Sequence, residues 1–220
     1  MQRIKNDHLS QMPSRYRAQL INSISGFKSA SLIGTCDAEN VRNLAIFSSV
    51  IHLGSNPAYI GFISRPDSVK RHTLNNIKRT QQFTINHVSE DFWQAAHQTS
   101  AKYLESECEF SQTGLNPQYI EGVLPPFVEE SQLKYALKLT DIMSISHNNT
   151  YLVVGEVTDI LCAEEAIKAD GYIDIESLHT VTITGLDSYH RTQRLSRLTY
   201  ATPSHPVSTL NLNGELADDS

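Results

Sequence analysis

The sequence predicts a mostly β protein, a closed or split β-barrel built from short, mainly antiparallel strands with two peripheral helices. Two observations predict this class. Runs with strand character outnumber helical runs, and turn-rich connections separate them. The strand–helix alternation of a Rossmann fold is absent, as is any G-x-G-x-x-G motif, so the commonest nucleotide-binding architecture is not expected.

The strand predictions come from apolar periodicity. Residues 133–140 alternate most cleanly between apolar and polar side chains. Residues 150–161 are almost continuously apolar, which is typical of a strand covered on both faces. Residues 82–88 alternate as a half-buried strand does. Three further strands are predicted to form an antiparallel meander: residues 29–36, 44–53 and 57–63.

Helical spacing is found in three places. Tyr16, Leu20 and Ile24 recur every four residues within a helix predicted over 13–24, before Gly26. Two more helices are predicted over 68–80, begun by Asp67 or Ser68, and over 89–99. Residues 102–130 are irregular, and their length favours a functional lid or a dimer-contacting loop over a plain connector.

The length of the chain indicates one domain. The 220 residues can bury roughly 70% of the surface that the unfolded chain exposes. We expect a single domain over residues 1–203, with a helical extension at 1–26. Residues 204–220 contain no aromatic side chain and are expected to form a mobile tail.

Composition and charge exclude several classes of protein. With 40% hydrophobic residues and a formal net charge of −6, the chain is unlike a general binder of nucleic acid or of anionic membranes. The three cysteines are widely spaced and are interpreted as free thiols. No charged-then-apolar leader and no run of roughly 18 apolar residues is present, so a cytoplasmic protein is expected.

One segment of this acidic chain is strongly basic. Between Phe62 and Thr80 it has five Lys and Arg residues against the single acid Asp67. A strand that turns into a helix here would place backbone N–H groups beside Arg65 and Arg71, as in a phosphate site. The alternative is a solvated helix whose charges only keep it soluble. A nucleic-acid site is less favoured, because no basic stripe continues elsewhere.

The sequence gives little support for a metal site or for a nucleophilic serine. The nine histidines form no H-x-x-x-H or H-E-x-x-H pair, so structural or surface roles are favoured and no metal is expected. Ser48 and Ser49 lack the G-x-S-x-G elbow of a nucleophilic serine. Hydroxyl groups that line a polar ligand explain this pair better.

Several short motifs occur together in a fixed order. They are Asn43-Leu-Ala-x-Phe-Ser48, Gly61-Phe-x-x-Arg-Pro66, His72-Thr-x-x-Asn-Ile77, Thr80-x-x-Phe-Thr-Ile-Asn86, Thr99-Ser-Ala-x-Tyr103 and Gly185-Leu-Asp-Ser-Tyr-His190. In this order, over residues 28–203, the chain resembles the flavin reductase-like family of FMN-binding split barrels. Each motif alone is weak, and their order over most of the chain carries the resemblance.

The resemblance implies a six-stranded antiparallel Greek-key split β-barrel that forms a homodimer with FMN at the subunit interface. It also implies which residues bind the cofactor. The segment along the isoalloxazine and ribityl chain would be Phe47, Ser48 and Ser49. The phosphate positions would be Ser64, Arg65, Arg71 and Thr73. A segment near the flavin ring, often across the dimer, would be Thr99, Ser100, Ala101, Lys102 and Tyr103, with Tyr189 as a wall of the pocket or as a packing residue.

The chain departs from the family pattern at two places. Ile46 stands where proline commonly precedes the Phe-Ser pair, and Arg71-His72 stands where Lys-Asp commonly precedes the threonine. Arg71 keeps the positive charge and adds a planar fork for phosphate oxygens. His72 replaces an acid, which leaves its role open.

The resemblance implies an oxidoreductase in which the flavin carries the chemistry and no catalytic side chain is assigned. The expected activity is transfer of reducing equivalents from NAD(P)H through FMN to a small-molecule acceptor. A partner monooxygenase is a further candidate partner. The alternative is a flavin-binding sensor or carrier without turnover. Neither nucleic acid nor a membrane is expected as a partner.

Overall fold

The computed structural model describes residues 1–65, 72–104 and 107–217. Its helices are short, and they lie at the N-terminus and between strands. They are α1 (Asn6–Gln11), α2 (Ser14–Ser23), α3 (His72–Thr80), α4 (Trp93–Gln98) and α5 (Glu109–Thr113).

Strands dominate the described residues. They are β1 (Lys28–Ser29), β2 (Ser31–Cys36), β3 (Arg42–Phe47), β4 (Ile51–Ser55), β5 (Ala58–Ser64), β6 (Gln82–His87), β7 (Pro117–Gln118), β8 (Phe127–Val128), β9 (Leu133–Ile145), β10 (Thr150–Cys162), β11 (Thr182–Thr184), β12 (Ser188–His190), β13 (Arg197–Leu198) and β14 (Thr209–Leu210). The prediction of a mostly β fold is confirmed.

The main sheet has seven strands in the order β3-β2-β6-β9-β10-β5-β4, and every neighbouring pair is antiparallel. The expected number was six. Helix α3 packs on one face of this sheet, where Leu74 and Ile77 join a core that includes Phe62, Phe83 and Leu137. A second core on the other face contains Leu32, Leu44, Phe92 and Phe110.

The predicted meander is wrong in one respect. The run 44–53 is two strands rather than one, because the chain leaves the sheet between Phe47 and Ile51. β3 pairs with β2, whereas β4 pairs with β5, so the two halves of the run lie at opposite edges of the sheet. Apolar character alone did not reveal this break.

Two burial predictions are also wrong. β6 is buried on both faces rather than one, because residues 126–128 cross its outer side. There the Thr84 hydroxyl donates to the Pro126 carbonyl at 2.7 Å, and the Val128 N–H donates to Asn86 Oδ1 at 2.9 Å. β10 is not covered on both faces, since the side chain of Ile160 is largely exposed.

Gly34 allows this crossing segment to approach the sheet. A Cβ atom at Gly34 would lie 2.3 Å from the Pro126 carbonyl oxygen and 2.5 Å from the Thr84 hydroxyl. Only glycine leaves room for the crossing backbone at this position. Residues 126–129 are held further by the buried Lys134 ammonium, which donates to the carbonyls of Val128 and Glu129.

The chain ends pack on the body of the protein. In the N-terminal extension, Gln19 donates to the Asp187 carboxylate at 2.9 Å. Near the C-terminus, β14 pairs with β13, and the Arg197 guanidinium pairs with Asp170. The mobility expected for residues 204–220 and the boundary at 203 stay predictions. The helix expected over 89–99 is confined to α4, and the start of the helix expected over 68–80 lies partly outside the described residues.

Candidate functional site

Polar residues stand at the end of β5 and at the start of α3. Ser64 ends β5 and is buried, and among the described residues its hydroxyl makes a single long contact, of 3.4 Å, with the Arg65 carbonyl. The Arg65 side chain is exposed. Arg71, the other arginine expected here, lies outside the described residues. Thr73, on the first turn of α3, is buried.

The Thr73 hydroxyl belongs to a buried network of amides and hydroxyls. Asn43 on β3 donates from Nδ2 to Thr73 Oγ1 and to Thr35 Oγ1, each at 3.1 Å. Asn76 on α3 donates to the same Thr35 oxygen at 3.2 Å. Sequence reasoning assigned no role to Thr35, Asn43 or Asn76. Two of the short motifs that carry the family resemblance contain Asn43 and Asn76, so the sequence did mark these two positions.

His72, whose role the sequence left open, lies close to a carboxylate. The Glu109 carboxylate accepts the N–H of Leu44 at 3.1 Å. Burial raises the pKa of Glu109, while the Leu44 hydrogen bond and the charge of His72 act against that rise. An acid brought in from α5 therefore stands near the position where the family pattern has its own acid.

Residues 48–50 form the break between β3 and β4, and Phe47 is the last residue of β3. The Phe47 ring packs edge-on against Phe62 at 5.0 Å between centroids, so it lies partly buried against the core. The Ser49 hydroxyl accepts the Ile63 N–H at 3.1 Å and donates to the Ile63 carbonyl at 3.2 Å. Ser48, between them, is half-buried.

The segment after α4 divides into bonded and exposed residues. The Thr99 hydroxyl is buried and donates to the Ala96 carbonyl at 2.8 Å. The Tyr103 phenol donates to the Gln98 carbonyl at 3.3 Å. The three residues between them are exposed and remain accessible to a ligand: Ser100, Ala101 and Lys102.

Tyr189 lies against α4. Its phenolic oxygen is 3.0 Å from His97 Nδ1, and its ring is 5.2 Å from that of Trp93. Burial, assisted by the negative charge of Asp187, raises the pKa of Tyr189 to about 12, so the phenol stays protonated. The contact with α4 brings Tyr189 toward the segment that follows this helix.

Residues 46–49 contact two parts of the protein that contain expected site residues. Ile46 packs with the core cluster that Tyr189 contacts, and Ser49 is bonded to Ile63, next to Ser64. Residues 46–49 thus run from the core cluster that Tyr189 packs against to the end of β5. An open cavity of about 220 Å³ near Arg42 and Phe110 lies elsewhere, because none of the expected site residues lines it.

Residues 1–65, 72–104 and 107–217 contain neither a cluster of metal ligands nor a membrane-spanning helix. In these ranges no group of three or more His, Cys, Asp or Glu side chains could hold a metal ion. No helix in the same ranges is both long enough and apolar enough to cross a membrane. The three cysteines are free thiols, as the sequence predicted.

Comparison with known proteins identifies the family. The sequence model of the flavin reductase like domain matches residues 24–178, which is well over half of the chain. The chain belongs to the flavin reductase like domain family. The matched range begins near the expected residue 28 and ends before Tyr189, so the motif at 185–190 lies beyond it.

Two solved structures share the fold of this chain. A protein of Shewanella frigidimarina NCIMB 400, assigned as a flavin reductase with a split barrel domain, is 46% identical, with a TM-score of 0.88 over 91% of this chain and 100% of that one. Component B of the Bacillus cereus nitrilotriacetate monooxygenase is 19% identical, with a TM-score of 0.78 over 90% of this chain and 98% of that one. The split-barrel class expected from the resemblance is confirmed.

Among curated relatives, an uncharacterized protein of Aquifex aeolicus (strain VF5) is 26% identical over 109 residues. The match covers 49% of this chain and 56% of the relative. The chain thus spans little more than half of that protein's length.

Proposed function

We propose that the protein is an FMN-binding oxidoreductase that passes reducing equivalents from NAD(P)H to an acceptor, as a flavin reductase does. Membership of the flavin reductase like domain family supports an oxidoreductase with a flavin cofactor. The choice of FMN among flavins, and of NAD(P)H as donor, goes beyond that membership and forms part of the proposal.

The observation that carries the proposal is a group of anion-binding donors on both sides of the β5–α3 connection. The Arg65 side chain is exposed, and the Ser64 hydroxyl makes one long contact within residues 1–65, 72–104 and 107–217. Among the described residues, none accepts the hydroxyl proton of Thr73, although Asn43 donates to its oxygen. The oxygens of a bound phosphate accept hydrogen bonds, and the Arg65 guanidinium and the hydroxyls of Ser64 and Thr73 can donate them. Arg71 would add a second guanidinium.

The remaining expected residues suit a flat ring held beside the barrel. The backbone of 47–49 and the exposed Ser100 and Lys102 would contact the ring and the ribityl chain. Tyr189, held by His97, would form a neutral wall. When bound, the flavin supplies hydride acceptance and donation. The protein's own residues bind it, orient it and exclude water.

A homodimer is part of the proposal. β4 ends the main sheet, and the side chains of Ile51 and Leu53 on it are exposed. A sheet edge with apolar side chains is a surface that proteins normally cover. A second copy of this chain is the proposed cover, and sedimentation of the purified protein at micromolar concentration checks it.

The electron donor and the acceptor are tested in one experiment. Purified protein is titrated with FMN and with riboflavin, and the flavin-loaded protein is then mixed anaerobically with NADH or NADPH in a stopped-flow spectrometer. Loss of the oxidised flavin absorbance with either donor is expected. Binding without bleaching by either donor would favour the flavin-binding sensor or carrier, and no binding of either flavin would refute the proposal. Oxygen, free flavin and a partner monooxygenase are then compared as acceptors.

A further inference from the structure

Thr73 belongs to a buried cluster of uncharged polar side chains. Its members come from three elements: Thr35 on β2, Asn43 on β3, and Thr73 and Asn76 on α3. Their exposed fractions are 0%, 7%, 8% and 7%, in that order. Buried amides and hydroxyls cost free energy unless their hydrogen bonds are made, so the direction of each bond matters.

The bonds of this cluster set the direction of the Thr73 hydroxyl. An amide nitrogen carries two protons and accepts none. Asn43 Nδ2 uses both protons, one toward Thr35 Oγ1 and one toward Thr73 Oγ1, at 3.1 Å each. Thr73 Oγ1 is therefore the acceptor in its bond with Asn43. Its own proton must be donated elsewhere, and no described residue receives it.

We propose that Asn43 is a positioning residue that fixes the Thr73 hydroxyl as a donor toward a phosphate oxygen of the ligand. This inference rests on the proposed function. A phosphate oxygen only accepts, whereas the terminal hydroxyl of riboflavin both donates and accepts. A donor hydroxyl can bond to either group, but its bond to an ionised phosphate oxygen is the stronger one. A Thr73 hydroxyl held as a donor therefore favours the phosphorylated flavin, and Asn43 contributes to this preference without touching the ligand.

The test separates an action through Thr73 from a general structural role. Asn43→Leu removes the amide at similar volume, and Thr73→Val removes the hydroxyl at similar shape. Each variant is expected to weaken FMN binding about ten-fold or more, the range for one hydrogen bond to a charged group, with little change for riboflavin. In the double variant, Asn43→Leu is expected to add no further loss of FMN affinity. Asn43→Ala is made in parallel as a variant that introduces no clash.

Asn86 provides a matched control. It is a buried asparagine that also donates to a threonine hydroxyl, Thr84 Oγ1 at 3.2 Å, but on the side of the sheet covered by residues 126–128. Asn86→Leu is expected to lower the thermal midpoint and to leave the ratio of FMN to riboflavin affinities unchanged. Thr73→Ser, which keeps the hydroxyl, is expected to restore most of the FMN preference.

The outcomes distinguish this inference from the proposed function. If the unmodified protein binds neither flavin, both are refuted. If it prefers FMN while the Asn43 variants keep that preference, or lose FMN and riboflavin equally, only the role of Asn43 is refuted. Additive losses in the double variant also refute it, because Asn43 would then act independently of Thr73.

Discussion

The Ser49 side chain takes the place of a backbone partner for Ile63. Its hydroxyl makes hydrogen bonds to both the N–H and the C=O of Ile63, at 3.1 and 3.2 Å. In the β4–β5 ladder Ile51 faces Gly61, so residue 49 occupies the position opposite residue 63. One side chain thus extends the ladder past the end of β4 and ties the break after β3 to the end of β5.

Ser49→Ala is expected to lower the free energy of unfolding by about 1–3 kcal/mol, because it leaves two partly buried backbone groups without partners. It is also expected to weaken FMN and riboflavin to the same extent, since the loop as a whole is loosened. Urea denaturation and flavin titration check this. Ser48→Ala is the control for stability, which should change little. A selective loss of FMN by the Ser49 variant would contradict this account.

Arg65→Ala is expected to weaken FMN about ten-fold or more and to leave riboflavin nearly unchanged, because the guanidinium acts on the phosphate. Combining it with Arg71→Ala should enlarge the difference. The loss should shrink at high salt, since screening weakens exposed charge pairs. Arg79→Ala, on the exposed C-terminal turn of α3, is the control. An equal loss for both flavins would mean that Arg65 acts through folding.

His87 is expected to make the protein sensitive to mild acid. Burial beside the Tyr135 ring lowers the pKa of His87 to about 4, below the ordinary value of 6.5. Between pH 6.5 and 4, His87 is therefore protonated in the unfolded chain but neutral in the folded protein. The free energy of unfolding falls as the pH falls through this window. The loss is at most about 3 kcal/mol, because the half-buried residue keeps part of its hydration.

The measurement is the thermal midpoint of His87→Gln as a function of pH. The variant should show a flatter decline between pH 6.5 and 4 than the unmodified protein. His147→Gln, at an exposed position in the β9–β10 turn, should keep the original slope. An unchanged slope in the His87 variant would show that other groups cause the acid sensitivity.

Thr182→Val is expected to stabilise the protein by about 1 kcal/mol. The Thr182 hydroxyl is buried and lacks a protein partner among the described residues, as does that of Ser29, which faces it across β1 and β11. Removing an unpaired buried hydroxyl at constant shape removes its desolvation cost. Thr84→Val is the matched control, because its hydroxyl is bonded to Pro126, and it should destabilise. Destabilisation by Thr182→Val would indicate a bound water at that hydroxyl.

The sequence predicted most strands and the class of fold, because apolar periodicity records which side chains face the core. It failed where a distant segment decides burial. β6 reads as half-buried, yet residues 126–128 cover its outer face, and the fit depends on the missing side chain of Gly34. The division of 44–53 into β3 and β4 depends likewise on which strand each half pairs with, which no local pattern records.

For the candidate site, motif order predicted which residues contact the ligand, but not which side chains form hydrogen bonds with those residues. Thr73 and Tyr189 were expected from their motifs. The contacts of Asn43 with Thr35 and Thr73 were not, because they join residues that are distant in sequence. The favoured structural or surface role of the histidines agrees with the contact between His97 and the Tyr189 phenol, but no sequence pattern named Tyr189 as the partner.

Trp93 gives the molecule an optical reporter of its own. It is the single tryptophan of the chain, its ring lies against that of Tyr189, and α4 leads from it directly into residues 99–103. Flavins absorb at the wavelengths where tryptophan emits, so a flavin held beside this segment would quench the emission by energy transfer. Binding of flavin to the unlabelled protein and to each variant could then be followed in real time from the decrease in Trp93 fluorescence.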